Sequence, residues 1–193
     1  MTTPKPHHSI GHNGGPSMEG GAGFRRIAWA RSRKALMPNN VPLEILRRRV
    51  ARAAALGLPY RTYASVRAAT GEDIAALLFS SNALSLLRPH DALPAQTATR
   101  LAALDADRHA TLAPRIPAQA LEPVPFTSTR PAPEFTAKWA ALRAEMQNWL
   151  RGQSLPADRV LMVGDTAFER EHATAGHLAA YLPAGRYFAE APA

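Results

Sequence analysis

Two short, unbroken apolar runs leave this chain few folds to choose from. One is Ile74-Ala75-Ala76-Leu77-Leu78-Phe79 and the other, after Arg159, is Val160-Leu161-Met162-Val163. Neither run alternates with polar residues, as a half-solvated antiparallel strand would. Strands that are apolar on both sides belong to a parallel sheet covered on both faces. The intervening stretches carry helical periodicity. Residues 93–104 and 168–177 are helix candidates, and residues 134–151 set Phe135, Trp139, Leu142, Met146, Trp149 and Leu150 on one broad face before Gly152. Residues 108–112 and 179–182 read as two further short strands. Alternating strands and helices predict an α/β class with a small parallel sheet flanked by helices. Residues 114–133 hold Pro114, Pro117, Pro123, Pro125, Pro131 and Pro133 and read as a loop or a wrapping segment.

Ahead of this core lies a different texture. Residues 1–23 are dominated by Pro, Gly, Ser and His and read as a disordered arm. His7, His8 and His12 could take a transition metal, but no other ligand type lies nearby. The run from Ser9 to Pro16 could instead serve as a short docking peptide. Residues 24–72 then read as a basic module of three helices. The first spans residues 24–36, with Phe24, Ile27, Ala28 and Trp29 on its apolar side. The second begins with Pro42 in its first turn and repeats Leu43, Leu46, Val50 and Ala53 or Ala54 at helical spacing before Gly57 stops it. The third runs over residues 60–69 with Tyr63 and Val66 buried, closed by Thr70-Gly71. The α/β core occupies residues 73–193.

Charge separates the two parts. Residues 24–70 hold eleven Lys and Arg against the single acid Glu44, a net of +10 in a chain whose total is +8. Residues 71–193 are therefore slightly acidic, at −2. A localised basic block is the electrostatic footprint of an anionic partner, either nucleic acid or an acidic protein surface. An anionic membrane surface is a further option, although the apolar side of the second helix is modest and Ala-rich. The chain has no cysteine, which excludes disulfides and thiolate metal sites and fits a cytoplasmic location. No apolar run approaches the roughly 20 residues a membrane span needs, and the N-terminus lacks a signal-peptide core.

Ala53-Ala54-Ala55-Leu56-Gly57, followed by Leu58, Tyr63 and Val66, resembles a helix-turn-helix. That resemblance makes residues 60–69 a reading helix, with Arg61, Thr62 and Ser65 toward base edges. Arg47, Arg48, Arg49 and Arg52 would then contact phosphates, joined by Arg25, Arg26 and Arg67 from the rest of the block. Arg52 stands where the motif is usually apolar.

Residues 155–166 (Leu-Pro-Ala-Asp-Arg-Val-Leu-Met-Val-Gly-Asp-Thr), continued by Glu169, Ala173 and Ala175-Gly176, resemble the last motif of the haloacid dehalogenase-like superfamily. The resemblance implies a Rossmann-like sheet, with Asp165 holding Mg²⁺ at a strand end and Glu169 as the second acid. It also places Thr111 at the family's hydroxyl motif and Lys138 as the cation that neutralises phosphate. The family's first strand ends in Asp-x-Asp, whose first Asp is the nucleophile. Here the corresponding strand runs into Ser80-Ser81-Asn82-Ala83-Leu84, and no activating base is evident beside either serine. In a generic α/β sandwich, Asp165 simply caps the following helix. Under either reading Ser80, Ser81, Asn82, Thr111, Asp165 and Thr166 form a candidate ligand pocket at the strands' C-terminal ends.

The expectation is a non-catalytic binding or regulatory protein, without a cofactor, that meets nucleic acid through its basic segment. One alternative is a small Mg²⁺-dependent phosphohydrolase of the haloacid dehalogenase-like type. Another is an adaptor whose arm and Pro-rich segment wrap a protein partner. Trp139 and Trp149 read as core rather than as a stacking platform. His109, His172 and His177 show no metal spacing.

Overall fold

Five parallel strands run through the centre of the molecule in the order β3-β2-β1-β4-β5. The structure is a computed structural model and describes residues 41–189. In chain order the elements are α1 (Leu43–Ala55), α2 (Tyr60–Thr70), β1 (Ala76–Ser80), α3 (Ala95–Ala102), β2 (Asp107–Leu112), β3 (Ser128–Pro131), α4 (Trp139–Gly152), β4 (Val160–Gly164), α5 (Ala167–Ala175), β5 (Ala180–Pro183) and α6 (Ala184–Ala189). Single 3-10 turns cover Ala118–Leu121 and Ala157–Arg159. The α/β class read from the two apolar runs is the one observed. The arm, the first basic helix, Arg25, Arg26 and the three N-terminal histidines lie outside the described residues.

The apolar runs are the middle of the sheet. Every residue of β1 and of β4 is buried, and the two strands pair in parallel with Ala76 opposite Val160 and Phe79 opposite Val163. Successive side chains point to opposite faces. Leu77, Phe79, Leu161 and Val163 therefore join one core, while Ala76, Leu78, Val160 and Met162 join the other. The first core is closed by α1, α2, α3 and α6 through Ala53, Tyr63, Val66, Leu101 and Tyr187. The second is closed by α4 and α5 through Met146, Leu150 and Ala173. Burying an aliphatic or aromatic side chain of this size contributes about 1.5–3 kcal/mol.

Residues 44–189 belong to one compact unit. The sequence reading drew a boundary after residue 72, yet α1 and α2 supply part of the sheet's own core. Gly57 makes their connection. Its φ is +65°, and a Cβ there would lie 2.7 Å from Leu104 Cδ2 and 2.9 Å from the Tyr187 hydroxyl. The N–H of Leu58 donates to the Ala53 carbonyl (2.9 Å), which closes the C-terminus of α1. Arg52, which the sequence reading gave to phosphate, donates from Nη2 to the carbonyls of Ile74 (2.8 Å) and Ala75 (3.3 Å) and so ties α1 to the entry of β1.

Three sequence expectations are corrected. The Pro-rich segment contains the edge strand β3, paired with β2 from His109–Ser128 to Leu112–Pro131. Its proline sits at the strand's end on the sheet's margin, where a missing N–H leaves no partner unpaired. The helix expected from residue 134 begins at Trp139. Phe135 therefore precedes it and is 82% exposed, and Trp139 is half exposed, so neither belongs to the buried face.

Candidate functional site

β1 and β4 are adjacent, but their connections leave in opposite directions across the sheet, so a crevice opens beyond their C-terminal ends. A capping box builds its wall. Thr166 caps α5, and its Oγ1 accepts from the Glu169 N–H (3.2 Å). Glu169 Oε2 accepts in return from the N–H groups of Thr166 (3.0 Å) and Asp165 (2.6 Å). Its Oε1 accepts from Asn82 Nδ2 (2.9 Å), which links the exit of β1 to the start of α5. A Cβ on Gly164 would stand 2.8 Å from Glu169 Oε2, so the Gly before Asp165 makes room for that carboxylate.

The cavity above this wall holds about 240 Å³ and is lined by Ser81, Asn82, Thr111, Thr166, Glu169 and His172, with Phe135 and Phe168 at the apolar side. Four of the six residues in the sequence-derived pocket thus come together. Ser80 is buried, outside the lining, and its Oγ accepts from the Ala83 N–H (3.0 Å). Asp165 is exposed and also lies outside the lining. Thr111 Oγ1 is buried with no hydrogen-bond partner. Ser81 Oγ already accepts from the Ala113 N–H (3.1 Å), so its own proton is available to a ligand.

Mg²⁺ does not fit these residues. Both oxygens of Glu169 are taken by three N–H donors, and a carboxylate so engaged has few lone pairs left for a hard cation. Among the described residues no group of three or more His, Asp or Glu could hold a metal. The nucleophile position carries no carboxylate, and Lys138 is an exposed residue preceding α4, outside the cavity lining.

Behind the crevice lies a polar cluster that sequence reasoning missed. Arg130 on β3 is buried, with Nη1 3.3 Å from His172 Nε2 and Nη2 3.7 Å from Glu145 Oε2. Burial, reinforced by the Arg130 charge, pushes the His172 pKa down to about 4. The imidazole is therefore neutral at pH 7 and accepts at Nε2 from the guanidinium. His109 is also buried and shifted down by desolvation, with Nδ1 2.8 Å from Ser128 Oγ. Only the alternation of His109 with apolar Ala110 and Leu112 could have flagged its inward direction.

The basic residues divide into two groups. Arg52 is bound to carbonyls, Arg67 reaches Asp73 (4.0 Å), and half-buried Arg49 joins them around a small cavity that also holds Asp73. Arg47, Arg48 and Arg61 are exposed, Arg48 also lining that cavity and Arg47 making a surface pair with Glu44. Thr62, expected at a base edge, is buried, and its Oγ1 accepts from Arg186 Nη2 (3.3 Å). Arg61, Thr62 and Ser65 line a second cavity of about 510 Å³ between α2, β5 and α6. Buried Val66, Leu161 and Leu182 and half-buried Ala180 form its apolar floor, Tyr181 and Arg186 complete it, and no carboxylate among the described residues lines it. Arg186 and Tyr181 belong to no motif, and only the fold brings them beside α2.

Comparison with known proteins returns no match, whether to a family model, a curated protein or a solved structure. No helix among the described residues is long and apolar enough to cross a membrane.

Proposed function

We propose that this protein is a non-catalytic binding protein that engages nucleic acid through α1, α2 and the cleft beside them. The observation that carries this reading is the cleft's lining, with two arginines, three hydroxyl residues and, among the described residues, no acid. Exposed Arg47 and Arg48 on α1 extend the positive surface. Such guanidinium groups bind phosphates and release counterions from the polymer.

Replacing Arg47, Arg48 and Arg61 together by Ala tests the reading. Arg52 is left in place because its carbonyl bonds belong to the fold. Oligonucleotide affinity should fall on the order of tenfold or more at moderate salt, by a similar factor for different base sequences. Unchanged affinity would overturn it.

The haloacid dehalogenase-like reading draws support from the strand order, which sets residues 80–82, 111 and 164–166 at neighbouring strand ends. It lacks a nucleophile and a free metal carboxylate, so a phosphatase reaction has no support from these residues.

A further inference from the structure

Arg48, Arg49, Arg52 and Arg67 surround one small cavity between α1 and α2, and Asp73 is the only acid that lines it among the described residues. Four guanidinium groups against one carboxylate leave the lining at +3. Helical spacing gathers this charge. Arg48 and Arg49 stand one turn before Arg52 on α1, and like charges at that spacing repel each other. The protein's own acceptors answer only part of it. Arg52 is held by the carbonyls of Ile74 and Ala75. Asp73 Oδ1 accepts from the Tyr63 hydroxyl (2.8 Å), and its Oδ2 faces Arg67 Nη1 (4.0 Å), so this carboxylate is turned to α2. Arg48 and Arg49 have no hydrogen bond or ion pair with any described residue. Arg48 is exposed, whereas Arg49 is half-buried and keeps its Nε shut off from solvent, a charged donor without an acceptor.

We propose that this cavity is a seat for one tetrahedral oxyanion, a phosphate, held by Arg48 and Arg49. Its volume is about 170 Å³, which matches about five or six water volumes of roughly 30 Å³ each. That is room for a phosphorus with its four oxygens, and not for a sugar or a base beside it. The planar guanidinium fork bonds two phosphate oxygens at once, and Arg49 brings such a fork with no competing acceptor. Arg48 supplies the second from the solvent side. Arg52 and Arg67 keep their present bonds and contribute only their charge. An anion in this position turns the repulsion along α1 into attraction to a common centre. The seat goes beyond the nucleic-acid reading, because its phosphate can be inorganic or can be carried by a strand.

Thermal melting of the full chain in inorganic phosphate, against sodium chloride of equal ionic strength, tests the seat. At a millimolar dissociation constant, about 10 mM phosphate should raise the melting temperature by about 3 °C or more. Arg48→Gln and Arg49→Gln should each lose most of that rise. Arg48→Gln, at an exposed position, covers the case in which Arg49→Gln fails to fold. No rise in the natural protein overturns the seat. A rise of equal size in the folded variants also overturns it, since exclusion of the salt from the whole surface acts on all of them alike. Fluorescence anisotropy with a labelled single-stranded oligonucleotide identifies the source of the phosphate. Displacement of the strand by phosphate, beyond that by matched chloride, assigns the seat to a phosphate of the strand. A strand that stays bound while the melting rise persists assigns it to inorganic phosphate. Salt-dependent strand binding without a melting rise leaves the nucleic-acid reading standing and refutes the seat. A melting rise without strand binding does the reverse.

Discussion

At the scale of single residues, the buried His172–Arg130 pair shows what the fold does to ordinary side chains. In the unfolded chain His172 titrates near 6.5, whereas in the native protein burial and the neighbouring guanidinium hold it near 4. Above about pH 6.5 the ring is neutral in both states. As pH falls from there toward 4, the unfolded chain binds a proton that the native protein refuses, and stability is lost. At one pKa unit per 1.36 kcal/mol, the loss from this ring between pH 7 and about pH 5 is about 2 kcal/mol. Urea unfolding at the two pH values should therefore show a smaller drop for His172→Gln than for the natural protein. An equal drop would mean that the ring is protonated in the native state. His109 adds to the natural protein's loss in the same direction. His172 could not be placed from sequence, because the Arg beside it lies forty-two residues away on a strand hidden in a Pro-rich run.

At the scale of elements, the Asn82–Glu169 hydrogen bond joins the end of β1 to the first turn of α5. Asn82→Asp would set two carboxylates at that 2.9 Å contact. The resulting repulsion should destabilise the protein by about 1–3 kcal/mol at neutral pH. Differential scanning calorimetry of the variant beside the natural protein reads this directly. An unchanged melting temperature would mean that the bond contributes nothing. Much of this architecture was legible beforehand. Ile74 to Phe79 and Val160 to Val163 announce central strands, because only a doubly covered strand is apolar at every position. Gly57 and Gly71 mark helix ends, and both hold positive φ. What escaped notice had no local signal. Ser128–Pro131 is short, polar and proline-terminated, which suits a margin rather than a centre. Phe135 and Trp139 fit the periodicity of α4, yet Phe135 precedes the helix and both remain in contact with solvent.

For the whole molecule, charge and fold divide the labour differently from the linear map. The described part of the basic segment shares its core with the sheet, and several of its arginines are structural ties. Exposed Arg47, Arg48 and Arg61 remain to face a partner. The convergence of Ser81, Asn82, Thr111 and Thr166 followed from strand-end positions and a parallel sheet. The α2–β5 cleft depended on α6, which carried no sequence signal. Nucleic-acid binding by this surface is tested most directly by titrating the intact protein with a mixed-sequence oligonucleotide across a series of salt concentrations. Three exposed arginines at roughly 0.7 per single-strand phosphate predict a slope of log affinity against log salt of about −2, and a slope near zero, or no binding at low salt, would contradict it.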